Sequence, residues 1–166
     1  MPDIRRVFVP SLLAGRVALV TGGGTGICRG IALALAAVGC DVAISSRRPE
    51  HLEPTVAELA SLGVRACAAA GDVRRPDEVA AVVGQTVETL GRLDILVNGA
   101  AGNFIARADQ LSPNGFGTVV DIDLKGTFNM SREAFPHLRE RGGVILNISA
   151  TLQLLGTVGQ SHAAAA

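Results

Sequence analysis

The sequence predicts an α/β protein built on a doubly wound parallel sheet. Short apolar runs alternate with longer amphipathic ones along the whole chain. The short runs are apolar on successive residues, which indicates strands covered on both faces, and strand–helix–strand alternation calls for parallel strands with right-handed crossovers. The predicted strands are 16–20, 41–46, 65–70, 94–98 and 143–148, and the predicted helices are 26–38, 50–62, 76–90 and 113–140.

A glycine-rich turn joins the first predicted strand to the first predicted helix. Such a turn presents backbone N–H groups and the positive end of a helix dipole to a pyrophosphate. Conformational need alone also collects glycine in turns, but the strand before it and the helix after it favour a cofactor site. The turn follows the pattern Gly-x-x-x-Gly-x-Gly, with Gly22 and Gly26 at the first two glycine positions and Cys28 at the third. We expect the Cys28 side chain to crowd the helix against the strand. The predicted cofactor contacts here are Gly22, Gly23, Gly24, Thr25, Gly26 and Ile27.

The end of the second predicted strand indicates which dinucleotide binds. An acidic residue there would bind the free 2′-hydroxyl of the adenosine ribose, but this chain has Ser45-Ser46-Arg47-Arg48 instead. A guanidinium can pair with a 2′-phosphate and stack on adenine. Arg47 and Arg48 therefore predict NADP(H) as the cofactor, the alternative being a solvated arginine pair on a surface loop.

Small and polar residues follow the third and fourth predicted strands. Ligands of open α/β sheets bind at the carboxyl ends of the strands, where Asp72 could accept a hydrogen bond from the adenine amino group. The alternatives are a turn or helix-start role for Asp72 and a strand-end turn role for Asn98. The predicted cofactor contacts in these segments are Asp72, Val73, Asn98 and Ala100.

Composition narrows the partners. A chain of 166 residues with 48% hydrophobic and 18% charged residues fits one domain, 1–166, with a sizeable core. The formal net charge is +0 without a basic run, so we predict no nucleic-acid partner. No apolar stretch approaches the roughly 20 residues that span a bilayer, so we predict no membrane partner. Cys28, Cys40 and Cys67 are scattered, which predicts no metal and a reducing compartment.

Several motifs resemble a known superfamily. Thr21-Gly22-x-x-x-Gly26, Asp72-Val73, Leu96-Val97-Asn98-Gly99-Ala100 and Val144-Ile145-Leu146-Asn147-Ile148-Ser149 resemble the short-chain dehydrogenase/reductase superfamily, which implies a Rossmann-like fold. Ala100-Ala101-Gly102-Asn103-Phe104, Leu111-Ser112-Pro113-Asn114, Asp121-Ile122-Asp123 and Asn147-Ile148-Ser149-Ala150-Thr151-Leu152 are similar to the 2,4-dienoyl-CoA reductases, most closely to the peroxisomal type and its bacterial relatives.

This resemblance implies an enzyme, a short-chain oxidoreductase that reduces 2,4-dienoyl-CoA to 3-enoyl-CoA with NADPH in unsaturated fatty acid β-oxidation. It implies that Asn103 donates its amide N–H to the thioester oxygen and that Asp123, with a lysine, holds the protonating water. The alternatives are a turn asparagine and a solvated helix aspartate. The acyl-CoA substrate is then expected to contact Arg47, Arg74, Phe104, Ser112 and Asn114.

The chain departs from the superfamily pattern in one region. Ala150 stands at the serine position and Ala163 at the tyrosine position, as in the dienoyl-CoA reductases, while the lysine would follow Ala166. We expect a domain incomplete at its C-terminus, with its last strands missing, and no turnover by the 166 residues alone. The alternatives are a non-catalytic NADP-binding remnant and a short-chain reductase of another acyl-CoA or keto substrate.

Three expectations concern the full-length protein and the histidines. We expect a homo-oligomer when the protein is full length. We expect a cytoplasmic location, or a peroxisomal one if a C-terminal signal was lost. His51, His137 and His162 are expected to be surface or packing residues.

Overall fold

The computed structural model describes residues 7–166, so the first six residues of the predicted domain 1–166 lie outside it. The strands are β1 Val17–Thr21, β2 Asp41–Ser46, β3 Ala66–Ala70, β4 Ile95–Asn98 and β5 Val144–Asn147. The helices are α1 Gly26–Ala37, α2 Glu53–Ser61, α3 Pro76–Leu90, α4 Pro113–Val120, α5 Gly126–Arg139, α6 Leu152–Leu155 and α7 Ser161–Ala165. Each predicted strand is present within one or two residues of its predicted bounds.

The five strands form one parallel sheet in the order β3-β2-β1-β4-β5. The chain moves outward from β1 to β3 on one side, and then crosses back to add β4 and β5 on the other. The strand order therefore reverses between β1 and β4, where Leu19 is in register with Leu96. Ligands of doubly wound sheets bind at this switch point, above the carboxyl ends of the strands. The predicted fold class is confirmed.

The sheet is covered by helices on both faces. Val17 and Leu19 belong to a buried cluster shared with α3 and α5, whereas Ala18 and Val20 belong to a second cluster shared with α1 and α2. Side chains alternate between the two faces of a strand. Odd- and even-numbered residues of β1 must therefore both be apolar when both faces are covered. Strand β5 differs because it lies at the sheet edge and its four side chains are exposed.

Two predicted helices are less regular than their sequence patterns indicate. Predicted helix 50–62 begins with a 3₁₀ turn, Pro49–His51, before α2. Predicted helix 113–140 divides into α4, a π-helical turn at Asp121–Lys125, and α5. A π turn is rare and widens the helix by one residue, and it is frequent at functional sites. It carries Asp123.

A buried carboxylate ties together the amino ends of the central strands. Asp94 accepts hydrogen bonds from Arg16 Nη1 at 2.9 Å, from Arg92 Nε at 2.7 Å and from the Val17 N–H at 2.9 Å. Its backbone pairs with Val17 on one side and with Val144 on the other. Burial alone would raise the pKa of Asp94, but Arg92, the Val17 N–H and Arg16 together lower it.

We predict that Asp94→Asn lowers the free energy of unfolding by about 1.5–3 kcal/mol, the usual worth of hydrogen bonds to a charged group. Because the folded-state pKa of Asp94 is below its unfolded value, its contribution is present above the unfolded pKa and is lost as pH falls through the folded one. Urea unfolding between pH 3 and pH 7 measures both effects. Asp109→Asn is the matched control, since Asp109 pairs with Arg107 at the same spacing on the surface.

If Asp94→Asn and Asp109→Asn lowered the free energy of unfolding equally, burial and the Val17 contact would add nothing to the stabilisation by Asp94.

Candidate cofactor and active site

A cavity of about 640 Å³ opens at the carboxyl ends of the strands. Nine of the predicted cofactor residues line it, namely Gly22, Gly24, Thr25, Gly26, Ile27, Arg47, Arg48, Val73 and Ala100. Eight lining residues were not predicted as contacts, namely Cys28, Ser45, Ser46, His51, Gly71, Gly99, Ala101 and Ile148. Most of these flank a predicted residue in the chain, so the strand-end rule would have found them if it had been applied to whole loops.

The Thr21 hydroxyl fixes one wall of this cavity against the other. It accepts hydrogen bonds from the N–H groups of Gly99 and Ala100, each at 3.0 Å, and it donates to the Val97 carbonyl at 3.4 Å. Thr21 is buried at the end of β1, and the other three residues belong to β4 and the loop after it. The glycine-rich turn and the β4 loop are therefore held at a fixed separation by one side chain.

Different physical constraints require glycine at different positions of the turn. A Cβ at Gly23 would lie 2.7 Å from Ile44 Cγ2, and one at Gly24 would lie 2.5 Å from the His51 carbonyl oxygen. These two glycines let the turn pack on β2 and on the 3₁₀ turn. Gly26 instead has a φ of +56° with nothing within 4 Å of its Cβ position. The open space above Gly26 suits a phosphate approaching the N-terminus of α1.

Cys28 belongs to the same buried cluster as Ala18 and Val20 of β1, and its crowding of that strand stays a prediction. Its side chain points at the β4 loop, where Sγ donates a hydrogen bond to the Gly99 carbonyl oxygen at 3.4 Å. A Cβ at Gly99 would lie only 2.2 Å from that sulfur. Gly99 therefore makes the room that the superfamily's third glycine would otherwise provide. Burial raises the pKa of the Cys28 thiol, so it remains a neutral packing group.

Arg47 and Arg48 lie at the far end of the cavity from the β4 loop. The Ser46 side chain holds this segment in a turn. Ser46 Oγ donates to the Arg48 carbonyl at 3.0 Å and accepts from the Arg48 N–H at 3.2 Å. Within residues 7–166, no carboxylate lies within salt-bridge distance of either guanidinium. Both charges are therefore open to an anionic ligand.

Three predicted cofactor residues do not line the cavity. Gly23 packs on Ile44, as described above. The Asp72 carboxylate is bound by Arg74, whose Nε donates to both carboxylate oxygens at 2.9 and 3.0 Å, and this hydrogen bond lowers the pKa of Asp72. A predicted cofactor contact and a predicted substrate contact are thus partners of each other. Asp72 Oδ1 also accepts a hydrogen bond from the Arg74 N–H at 3.0 Å, which is the contact of a turn aspartate, and the adenine contact of Asp72 stays a prediction.

Asn98 holds the sheet edge to α5. Its amide Nδ2 donates to Asn147 Oδ1 at 2.9 Å and to Ser131 Oγ at 3.0 Å. Its Oδ1 is one of two buried side-chain atoms that lack a hydrogen-bond partner within the described residues. Asn98 therefore joins β4, β5 and α5, and its cofactor contact stays a prediction.

Asp123 projects from the π turn toward the β4 loop. Its Oδ1 accepts a hydrogen bond from the Gly102 N–H at 2.7 Å. Burial raises the pKa of this carboxyl group, and the Gly102 N–H opposes that shift only in part. The π turn widens the helix so that Asp123, next to buried Ile122, faces the loop. Asp123 is partly buried in this orientation, and its role in the site stays a prediction.

The other predicted reactive and substrate residues cluster beside this loop. Asn103 Oδ1 accepts from the Phe104 N–H at 2.9 Å, and its Nδ2 donates to Gln160 Oε1 at 2.6 Å. Ser112 caps α4 by accepting from the Gly115 N–H at 3.0 Å, and Phe104 packs over that first turn. Asn114 lies in the same turn. The Ser112 hydroxyl is thus engaged in capping the helix.

Two alanines replace hydroxyl side chains in this region. Ala150 follows β5, and Ala163 lies in α7. The residue before Ala163 is His162, which is fully buried, so it is a packing residue rather than a surface one. The described residues contain no cluster of three or more His, Cys, Asp or Glu side chains suited to a metal ion. None of the described helices is long and apolar enough to cross a membrane.

Sequence comparison identifies the family to which this fold and its cavity belong. Residues 16–166 match the family model of the short chain dehydrogenases, so the chain belongs to this family. The peroxisomal 2,4-dienoyl-CoA reductase of Arabidopsis thaliana is 46% identical over 96% of this chain and 56% of its own length. The rat peroxisomal 2,4-dienoyl-CoA reductase is 45% identical over 100% of this chain and 58% of its own length.

Solved structures agree with this family assignment. A short chain dehydrogenase from Mycobacterium smegmatis superposes with a TM-score of 0.89 at 36% identity, over 93% of this chain and 66% of that one. The chain spans somewhat more than half the length of the curated relatives that it matches. Family membership implies a nicotinamide cofactor, and the cavity fits one, since the open space at Gly26 and the free guanidinium groups suit its phosphates.

We predict that Gly26→Ala lowers the free energy of unfolding by about 1–2 kcal/mol, because a side chain is strained at a positive φ. It should also abolish the rise in melting temperature caused by a nicotinamide dinucleotide, since the new methyl group enters the phosphate space. Gly84→Ala is the control. Gly84 lies within α3 with open space around it, so alanine should raise stability by about 0.5–1 kcal/mol and leave the cofactor response intact.

Loss of the cofactor response in both variants would mean that Gly26 has no special place in the cradle.

Proposed function

We propose that the protein to which these residues belong reduces 2,4-dienoyl-CoA thioesters to 3-enoyl-CoA with NADPH. The observation that carries this proposal is Asp123, a partly buried carboxyl group bound to the Gly102 N–H beside Asn103, in a site where Ala150 and Ala163 offer no hydroxyl. A carboxyl group is then the acid available for proton transfer. The names and identities of the curated relatives support the same reaction.

The preference for NADPH rests on charge at the end of β2. Arg47 and Arg48 line the cavity without a carboxylate partner among residues 7–166, and Asp41, the acidic residue of β2, lies at the other end of that strand. A phosphate on the ribose would therefore meet two cations, and the negative charge of Asp72, which Arg47 also senses, is paired with Arg74. The binding of NADPH rather than NADH is part of the proposal.

Arg47→Asp tests this preference. We expect NADPH to bind about tenfold more weakly or worse, equal to roughly 1.4 kcal/mol, while NADH affinity stays the same or rises. Titration of both cofactors, followed by nucleotide fluorescence, measures the two dissociation constants. Arg139→Asp, at the far end of α5, is the control and should change neither constant.

If Arg47→Asp leaves the ratio of the two constants unchanged, Arg47 does not read the 2′-phosphate.

Two residues of this chain, Asn103 and Asp123, are proposed to take part in the steps after cofactor binding. NADPH held by the cavity residues would supply a hydride for the δ-carbon of the dienoyl thioester, and the resulting negative charge would then lie on the thioester oxygen. The spare N–H of the Asn103 amide is available to stabilise that negative charge, because its other N–H is bound to Gln160. Protonation at the α-carbon then leaves the double bond between the β- and γ-carbons.

Asp123 is proposed to supply or position that proton. Burial raises the pKa of its carboxyl group, which keeps a larger protonated fraction than a solvated aspartate would have. The Gly102 N–H fixes one carboxyl oxygen, so the other is free to meet a water or the α-carbon. The same N–H lies next to Asn103 in the chain, and this couples the acid to the oxyanion donor.

We expect Asp123→Asn to lower kcat by about 10²–10⁴-fold, the usual contribution of an acid or base, without changing NADPH affinity. Asparagine keeps an acceptor for the Gly102 N–H and loses only the exchangeable proton. Asp121→Asn is a matched control on the same π turn, since Asp121 pairs with Lys125 at the surface. Steady-state kinetics of the protein encoded by the complete coding region provides the measurement.

An Asp123→Asn variant with the kcat of the unmutated protein would remove Asp123 from the mechanism.

The reaction itself is tested by NADPH oxidation with a 2,4-dienoyl-CoA, compared with a 3-ketoacyl-CoA, using the complete coding region. Faster turnover of the dienoyl substrate, with a 3-enoyl product, supports the proposal. Faster turnover of the keto substrate would favour a short-chain reductase of another class. Cofactor binding without turnover of either substrate would favour a non-catalytic NADP-binding protein.

Location and assembly remain predictions. We expect a cytoplasmic protein, or a peroxisomal one as the names of the relatives state for those proteins, and a homo-oligomer when full length. Imaging of a fluorescent fusion that keeps the natural C-terminus tests the first expectation. Light scattering of the complete protein tests the second.

A further inference from the structure

Two segments that are far apart in the sequence close on each other beside Asp123. The segments are the loop 103–106, which follows β4, and residues 159–162, which lead into α7. The Ala106 N–H donates to the Gly159 carbonyl at 3.0 Å, Asn103 Nδ2 donates to Gln160 Oε1 at 2.6 Å, and His162 Nε2 lies 3.0 Å from the Phe104 carbonyl oxygen. We call this pairing the 103/160 clasp.

The partners of His162 define its tautomer. The Phe104 carbonyl oxygen can only accept, so Nε2 carries the proton that it shares with that oxygen. The ring also stacks on the Phe104 ring, with centroids 4.5 Å apart and planes inclined by 30°. His162 is 0% exposed, and its Nδ1 is one of the two buried atoms in residues 7–166 that have no hydrogen-bond partner. One side chain thus holds Phe104 by both its backbone and its ring.

The same clasp orients the Asn103 amide. The Phe104 N–H can only donate, so the Asn103 atom at 2.9 Å from it is the oxygen Oδ1. The other end of the amide is then the NH₂ group, and the Gln160 atom facing it is an oxygen. Asn103 therefore cannot rotate its amide by 180° without losing two hydrogen bonds. One N–H of the amide remains free.

We propose that His162 is a positioning residue that holds the Asn103 amide toward the substrate carbonyl by anchoring the Phe104 backbone and ring. This inference rests on the proposed function for its substrate, but the clasp itself does not depend on any substrate. An oxyanion donor is effective only when its N–H is already aimed at the developing charge. Asn103 is exposed, and its neighbour Phe104 is the point at which a buried group fixes the loop.

The buried location of His162 suits this task better than a surface contact would. The His162 ring is buried although Phe104 is exposed, so water competes for this hydrogen bond less than for the exposed Asn103–Gln160 pair. The clasp therefore positions the oxyanion donor through a side chain that solvent does not reach.

Three substitutions at His162 test which atom of the ring matters, and each is made in the protein encoded by the complete coding region. Glutamine places an amide N–H at nearly the distance of Nε2 from the backbone, asparagine reaches only as far as Nδ1, and leucine has no donor. We expect His162→Asn and His162→Leu to lower kcat by about 10–100-fold, the effect of a misplaced group, with the KM for NADPH unchanged. His162→Gln should recover most of the lost kcat. His137→Gln, on the last turn of α5, is the control.

A substrate-free measurement separates this inference from the proposed function. Hydrogen exchange of the Ala106 amide, which is bound to the Gly159 carbonyl, reports whether the clasp is closed. Exchange should be faster in His162→Asn and His162→Leu and slow again in His162→Gln. If the unmutated protein reduces no dienoyl-CoA yet shows this exchange pattern, the reaction is wrong and the clasp stands.

Two results would overturn the inference. One is a His162→Asn variant with the kcat and exchange rates of the unmutated protein. The other is a His162→Gln variant as slow as His162→Asn, which would show that the Nε2 donor is not what matters. If His162→Leu does not fold, the comparison of glutamine with asparagine decides the question alone.

Discussion

The hydroxyl of Thr21 is the contact on which the geometry of the site depends. It satisfies the N–H groups of Gly99 and Ala100 and donates to Val97, so one buried atom joins the end of β1 to the loop after β4. Without it, two backbone donors would be left unpaired, at a cost of about 1–3 kcal/mol each. The loop that it anchors continues directly to Gly102 and Asn103. The distance between the cofactor cradle and the reactive groups is thus fixed by the strand pairing of β1 and β4.

Close approach of backbone segments explains most of the small residues around this contact. A Cβ at Gly22 would lie 3.0 Å from the Gly99 carbonyl oxygen, and one at Gly99 would strike the sulfur of Cys28. The departure from the usual glycine pattern is therefore compensated within the site: Cys28 adds a side chain, and Gly99 omits one. Only Gly26 leaves open space, so the glycine-rich turn combines packing glycines with one that faces the ligand.

Sequence reasoning predicted the strands and the cavity well because both follow from local patterns. Buried parallel strands are apolar runs, and their carboxyl ends line the binding crevice wherever the strand order reverses. The π turn was missed because Asp121–Lys125 continues an ordinary helical pattern, and one extra residue per turn leaves no trace in periodicity. The role of His162 was missed because its partner, Phe104, is 58 residues away. For Asp72 the sequence could not predict the partner of the carboxylate. The nearby Arg74 could bind either the substrate or Asp72 itself, and in the structure it binds Asp72.

The acid role that we propose for Asp123 would give this chain a proton donor of a different kind within an unchanged fold. With alanine at positions 150 and 163, neither hydroxyl of the superfamily pattern is available near the end of β5. The π turn brings a carboxyl group to the β4 loop instead, and burial raises the pKa of that group, as proton donation requires. The loop meets this carboxyl group through Gly102 and meets residues 159–162 through its next four residues. Loss of the hydroxyls, the widened helix turn and the clasp therefore form one connected arrangement, because each of them acts on the segment 102–106.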